Sequence, residues 1–467
     1  PRSTSRPWAP AGTVAASNAG PAIAVSFVIA GLACALAALC YAEFASTVPV
    51  AGSAYTFSYA TFGELVAWII GWDLVLEFTV GASALAVGFS GYLQNLVDGT
   101  FLEIPTAVGS ASHGVVDLPA VVISLIVTAV LILGVKLSSL INQIVVAIKL
   151  AVVALVLVLG ISYVKVANYT PFVPERQASA PGEGTFWNQP LVTSLFGLEP
   201  AVFGVAGVIA GAAVVFFAFI GFDVVATVAE ETKNPQRNVP IGILSSLAIV
   251  TGLYVAVSLV ITGMQNYTDI DPTDPAPLAT AFDAVGQEWV GNVIAVGATI
   301  GLTVVVLILI LGQTRVAFAM ARDGLLPQAL AKVHPTYRTP YVITTITGVS
   351  VAVLSGFLDF ETLGHLVSIG TLFAFMLVSI GVLILRRTRP DLPRGFRTPA
   401  VGLVATLSVL LCFYLMLNLV GETWLRFGLW MLVGIAVYFA YGRNHSRLGK
   451  GELGGTLESE PGVSGTA

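Results

Sequence analysis

Eleven apolar stretches divide this chain, and most of them recur at a fixed offset. They run over roughly residues 20–48, 63–97, 118–135, 138–166, 203–231, 240–264, 287–320, 340–358, 361–387, 400–420 and 424–442. Each is near or above the ~20 residues that cross a bilayer's hydrocarbon core. The stretches starting near 20, 63, 118 and 138 are matched by others starting near 240, 287, 340 and 361, so each pair lies 220 to 224 residues apart. Two unusually long stretches, 63–97 and 287–320, fall in equivalent places. A chain laid out in this way is predicted to be an all-α polytopic membrane protein with an internal duplication, a layout common among membrane transport folds.

The stretch 203–231 has no earlier partner, because its equivalent would fall before residue 1. Residues Pro1 to Pro10 are too polar and too short to span anything. The expectation is that most of the first helix of the first repeat is missing. Residues 1–19 then form its remnant, 20–442 the membrane domain and 443–467 a disordered tail rich in Gly, Ser and Glu.

Composition narrows the class. Hydrophobic residues make up 56% and charged residues 10% of the chain, far from the balance of a soluble domain. The net charge of −5, with no basic patch, argues against nucleic acid as a partner. Cys34, Cys40 and Cys412 all lie inside apolar stretches, where they read as small core residues and not as a disulfide or metal set. Neither a nucleophile–base pair nor a metal-ligand cluster is visible, so no enzyme and no cofactor is expected. Loop charge gives the orientation. Fourteen Lys and Arg residues, among them Lys136, Arg237, Arg322, Arg386, Arg394 and Arg447, fall on one side, against Lys165, Arg176 and Arg426 on the other. By the positive-inside bias the C-terminus is cytoplasmic.

Ionisable residues at bilayer depth are costly and mark function by default. Lys149 stands mid-stretch in Ile148-Lys149-Leu150-Ala151 with no ionisable neighbour within a helical turn. It reads as a proton-coupling group, since a buried ammonium is tolerated best where it can give up its proton. The alternative is a structural lysine paired with a carboxylate on another helix. Asp73 and Glu77 are four apart and share a helix face. Glu77, nearer mid-membrane, is placed to meet a cationic substrate group. Asp73 serves equally well as a partner for backbone or a basic residue. The run Phe216-Phe217-Ala218-Phe219-Ile220-Gly221-Phe222-Asp223 sets a glycine among aromatics beside an intramembrane acid. It predicts a helix that unwinds near Ile220 and Gly221, freeing backbone groups for a polar ligand. A glycine packing contact with a hydrogen-bonded Asp223 is the other reading.

Two runs, Phe217-Ala218-Phe219-Ile220-Gly221-Phe222-Asp223 and Glu230-Glu231-Thr232-Lys233-Asn234-Pro235, resemble the sixth helix and following loop of amino acid permeases. The resemblance extends to Tyr41-Ala42-Glu43-Phe44 and to Arg315-Val316-Ala317-Phe318-Ala319-Met320-Ala321-Arg322-Asp323-Gly324-Leu325-Leu326-Pro327. It is nearest to the cationic amino acid transporter branch of the amino acid–polyamine–organocation superfamily. The resemblance implies a five-plus-five inverted-repeat fold of the LeuT type with two extra C-terminal helices, eleven spans being present of twelve. It also implies proton-driven import of amino acids, cationic ones among them, across the plasma membrane, with no cofactor. Phe217 matches the family's aromatic gate, and the backbone around Phe217, Ala218, Ile220 and Gly221 its holders of the substrate ammonium. Lys149 matches a lysine that takes the place of a sodium ion in proton-coupled members, and Glu77 a position bordering the pocket. A membrane protein that binds an amino acid without carrying it is the alternative.

Overall fold

The computed structural model describes residues 14–47, 55, 59, 63–101, 103–111, 114–134, 139–178, 186–197, 201–221, 234–271, 274, 276–392 and 394–447. Among these, eleven principal helices follow the apolar stretches. They are α1 (Ile23–Thr47), α2 (Glu64–Val97), α3 (Leu118–Ile132), α4 (Ser139–Gly160), α5 (Gly204–Val215) and α6 (Pro235–Met264). They continue with α7 (Glu288–Arg322), α8 (Tyr341–Phe357), α9 (Phe360–Thr388), α10 (Val401–Leu417) and α11 (Gly421–Val437). Seven spans, containing α1, α2, α4, α6, α7, α9 and α11, are long and apolar enough to cross a membrane, and the other four helices are shorter and apolar. The expected first helix would lie before or within residues 1–13, which are outside the described residues. Residues 14–22 coil tightly into α1 through Ala15–Ala19 and Gly20–Ala22 and pack against α5.

Length and packing agree for the two long helices. α2, of 34 residues, and α7, of 35, lie against each other along their length. Small residues permit the approach. A Cβ on Gly71 would press on Met320 and Tyr55, and one on Gly81 would meet Leu309. α1 and α9 complete the inner layer, while α4, α6 and α11 are peripheral. The outer faces are apolar too: Leu32, Leu150, Leu403 and Leu432 are exposed. A helix in lipid satisfies its backbone internally and needs no polar face.

Two boundaries differ from the expectation. α6 starts at Pro235 and not near 240. Pro235 opens the helix, where a missing N–H costs nothing, and Pro240 is accommodated within its first turns. α5 ends at Val215, well short of 231, and residues 222–233 lie outside the described residues. Short surface structure lies between α4 and α5. Gln177–Ala178 pairs antiparallel with Ala201–Val202, and Leu191–Phe196 forms a helix tied to the α10–α11 turn through Leu191 N–H to Leu419 O.

Candidate functional site

α5 is broken where the sequence places its glycine. After Val215 the chain tightens into a 3₁₀ turn, Phe216–Phe219, and Ile220 N–H donates to Phe217 O at 3.2 Å in place of an α-helical bond. Ile220 is then extended (φ −64°, ψ 141°), and Gly221 takes φ +116°, a conformation that a side chain disfavours. Aromatic contacts fix the turn on three sides. Phe216 packs on Phe375 of α9, Phe217 stands edge-on to Phe360 at 5.7 Å, and Phe219 packs on Phe27 of α1 and Tyr254 of α6. Tyr254 also donates its hydroxyl to Ala218 O at 2.6 Å. One carbonyl released by the break is thus satisfied from the next helix, as buried backbone requires. Nothing in the sequence near Tyr254 signals that role.

Phe217 borders a cavity of about 870 Å³ whose walls come from α2, α4, α6 and α7. Leu85, Val152, Val156 and Ile294 make it apolar, and Phe360 joins Phe217 on its lining. Lys149 of α4 is half-buried on this wall, its stem lying over Gly301 of α7. Among the described residues it makes no ion pair. The lysine therefore points toward α7 and the cavity, and not into lipid.

Five aspartates share the same cavity: Asp117, Asp269, Asp271, Asp274 and Asp359. Three are held by the backbone. Asp117 caps α3 by accepting from Ala120 N–H at 3.1 Å, and Asp359 caps α9 from Thr362 N–H at 3.0 Å. Asp274 accepts from Ala276 N–H at 2.8 Å and from the Thr280 hydroxyl. Burial pushes the Asp117 carboxyl up to about 6, against the pull of its bonds from Ser90 and Ala120. Burial likewise raises Asp274, against its bonds from Thr280 and Ala276.

The remaining expected residues are placed elsewhere. Asp73 and Glu77 are fully buried and share one face, as their spacing requires, but that face meets Gly370 of α9 and does not line the cavity. Neither oxygen of Asp73 has a hydrogen-bond partner among the described residues. Ala218, Ile220 and Gly221 belong to the break without lining the cavity, and Asp223 lies outside the described residues. Sequence reasoning missed Glu43. It is buried at the far end of α1 and accepts from Arg386 at 2.7 and 2.8 Å and from Thr398 N–H at 2.7 Å, with Arg394 at 3.3 Å. Its position at the edge of a span reads as a loop-ward acid. Only the return of α9, 343 residues later, shows it paired.

Comparison with known proteins agrees with this architecture. The amino acid permease family profile matches residues 4–440. The methylthioribose transporter of Bacillus subtilis is 47% identical over 443 residues, covering 94% of this chain and 90% of that protein. The branched-chain amino acid permease BcaP of the same organism is 45% identical over 439 residues, covering 93% and 88%. The vacuolar cationic amino acid transporter 2 of Arabidopsis thaliana is 42% identical over 387 residues, covering 81% of this chain and 56% of that protein. A broken apolar helix beside a lysine-bearing cavity, set in a bundle that the family profile covers almost end to end, makes this chain a member of the amino acid permease family.

Proposed function

We propose that this chain is a secondary active transporter that imports amino acids together with protons across the plasma membrane. The observation that carries the proposal is Lys149. It is an ammonium without an ion-pair partner among the described residues, on the wall of the cavity that Phe217 and the broken helix border. Backbone around Phe217 and Ile220, where the helix is interrupted, holds the substrate's charged head at the midplane. Phe217 and Phe360 close over it, and Val152, Val156 and Ile294 receive its side chain. Glu77 and Asp73 are the buried acids of α2 on which such a site draws. In this reading the bundle is a five-plus-five inverted repeat with α10 and α11 added, and the C-terminus is cytoplasmic. The aspartates of the cavity then face outside, where they attract a cationic head or side chain.

Apolar and cationic side chains are both served by this cavity, and relatives carry names of both kinds. One relative is named for methylthioribose. The test is therefore a panel of arginine, leucine, alanine and methylthioribose offered to proteoliposomes under an inward proton gradient. At least one amino acid should accumulate, and collapse of the gradient by a protonophore should abolish the accumulation. Uptake indifferent to the protonophore would remove proton coupling. Binding of a panel member without any uptake would favour a receptor-like protein over a transporter.

A further inference from the structure

Gly297 and Gly301 stand one turn apart on α7, in Gly297-Ala298-Thr299-Ile300-Gly301, and both line the cavity. Small residues at this spacing let helix backbones approach closely. Here the two positions receive different neighbours from α4. A Cβ at Gly297 would run into the Val152 side chain. A Cβ at Gly301 would lie 2.6 Å from Cε, 3.3 Å from Cγ and 3.4 Å from Cδ of Lys149. Three carbons of the lysine stem thus rest on a bare Cα. A methyl group there could not be accommodated by moving the ammonium alone; the stem would have to swing away.

We propose that Gly301 is a positioning residue for Lys149, a notch in α7 that lays the lysine stem along the cavity wall and fixes where its ammonium stands. The proposal rests on Lys149 being the coupling group. No ionisable side chain lines the cavity from α7, where Ile294, Ala298 and Leu302 join the two glycines, or from α6, which contributes Val257. The ionisable groups that share the cavity with Lys149 are Tyr92 and the five aspartates, Asp117, Asp269, Asp271, Asp274 and Asp359. The field at the ammonium is therefore set by its distance from groups on other elements, and that distance follows from how the stem lies. The notch acts on proton affinity through geometry, without touching substrate.

The experiment compares wild type, Gly301→Ala, Gly297→Ala, Lys149→Ala and the double variant Gly301→Ala/Lys149→Ala. Uptake of labelled leucine and arginine into proteoliposomes is followed across external pH, and thermal unfolding of each purified protein is measured in detergent. Gly301→Ala is expected to move the pH midpoint of uptake by about one unit, the scale on which surroundings shift a titrating group. Gly297→Ala, which disturbs the same helix contact through Val152, should slow uptake and leave the midpoint in place. Gly301→Ala should also lower the melting temperature of wild type but not of Lys149→Ala, because alanine has no stem for the added methyl to meet. The proposal fails if Gly301→Ala keeps the wild-type midpoint, if Gly297→Ala shifts it equally, or if Gly301→Ala costs the same stability in both backgrounds. A Lys149→Ala protein with wild-type proton dependence would instead remove the coupling role itself, and the melting data would still show whether the stem rests in the notch.

Discussion

Single residues here fall into those whose chemistry is visible in the sequence and those defined by a distant partner. Lys149 is of the first kind: an isolated cation in an apolar run announces itself. Glu43 is of the second. Its carboxylate is buried, and it gathers Arg386, Arg394 and the Thr398 N–H from a segment at the other end of the chain. Breaking a buried pair by removing one partner leaves a charge without compensation, at about 3–5 kcal/mol. Arg386→Met leaves Arg394 and Thr398 in place, so its cost is expected near the lower end of that range, read as a lowered melting temperature in detergent. Asp117 predicts a pH effect. Its carboxyl is raised by burial to about 6, so the folded protein holds that proton more tightly than the unfolded chain does. The stability it contributes is complete at low pH and is lost as pH rises through about 6. Asparagine caps a helix as well as aspartate. Asp117→Asn should therefore match wild type near pH 4 and exceed it at pH 7, by on the order of 2 kcal/mol. Equal melting curves for the two proteins across that window would contradict the burial of this carboxyl.

At the scale of elements, the sequence exposes position and length more readily than it exposes what an element does at its ends. Among the described residues each of the eleven apolar stretches carries a helix, because runs of apolar residues have few other ways to satisfy their backbone in lipid. The fault in α5 was legible too: a glycine after five residues that include three phenylalanines marks a helix that has lost its preference for continuing. The reach of Tyr254 to Ala218 O was not legible, since it depends on α6 returning alongside α5. Tyr254→Phe keeps the packing against Phe27 and Phe219 and removes one hydrogen bond. It is expected to cost about 1–3 kcal/mol, the penalty of a buried carbonyl left unsatisfied, and to slow uptake by loosening the break. Gly221→Ala tests the break directly. Among the described residues no atom lies within 4 Å of the added Cβ, and what it meets is the backbone at φ +116°. Strain of about 1–3 kcal/mol is expected, with uptake reduced. Unimpaired uptake by Gly221→Ala would show that the break tolerates an ordinary backbone there.

For the whole molecule, the two long helices and the last helix carry different weight. The long helices α2 and α7 form the central pair, and the cavity lies beside them at the Leu85–Gln94 end of α2. α11 is clasped to the opposite end of α2. Trp72 Nε1 donates to Trp430 O at 2.9 Å and Trp430 Nε1 donates to Trp72 O at 3.2 Å, with the two rings stacked at 4.6 Å. Trp68 adds a bond to Gly434 O at 2.9 Å. Beyond α11 the chain reaches the end of α7, where Arg447 N–H donates to Asp323 O. None of this was readable in advance, because a tryptophan near a span's end signals a membrane interface as readily as a helix contact. The clasp lies about 25 Å along α2 from the cavity, at 1.5 Å per residue. It should therefore affect stability and leave proton coupling alone. Trp72→Phe and Trp430→Phe each retain a ring and lose one N–H donor, at about 1 kcal/mol apiece. The two bonds close a single contact, so losing either loosens the other. The double variant is then expected to cost less than the two singles together, with a coupling of about 0.5 kcal/mol or more. Additive losses in thermal unfolding would mean that the bonds act independently, and a shifted pH midpoint of uptake in either single variant would mean that α11 reaches the cavity after all.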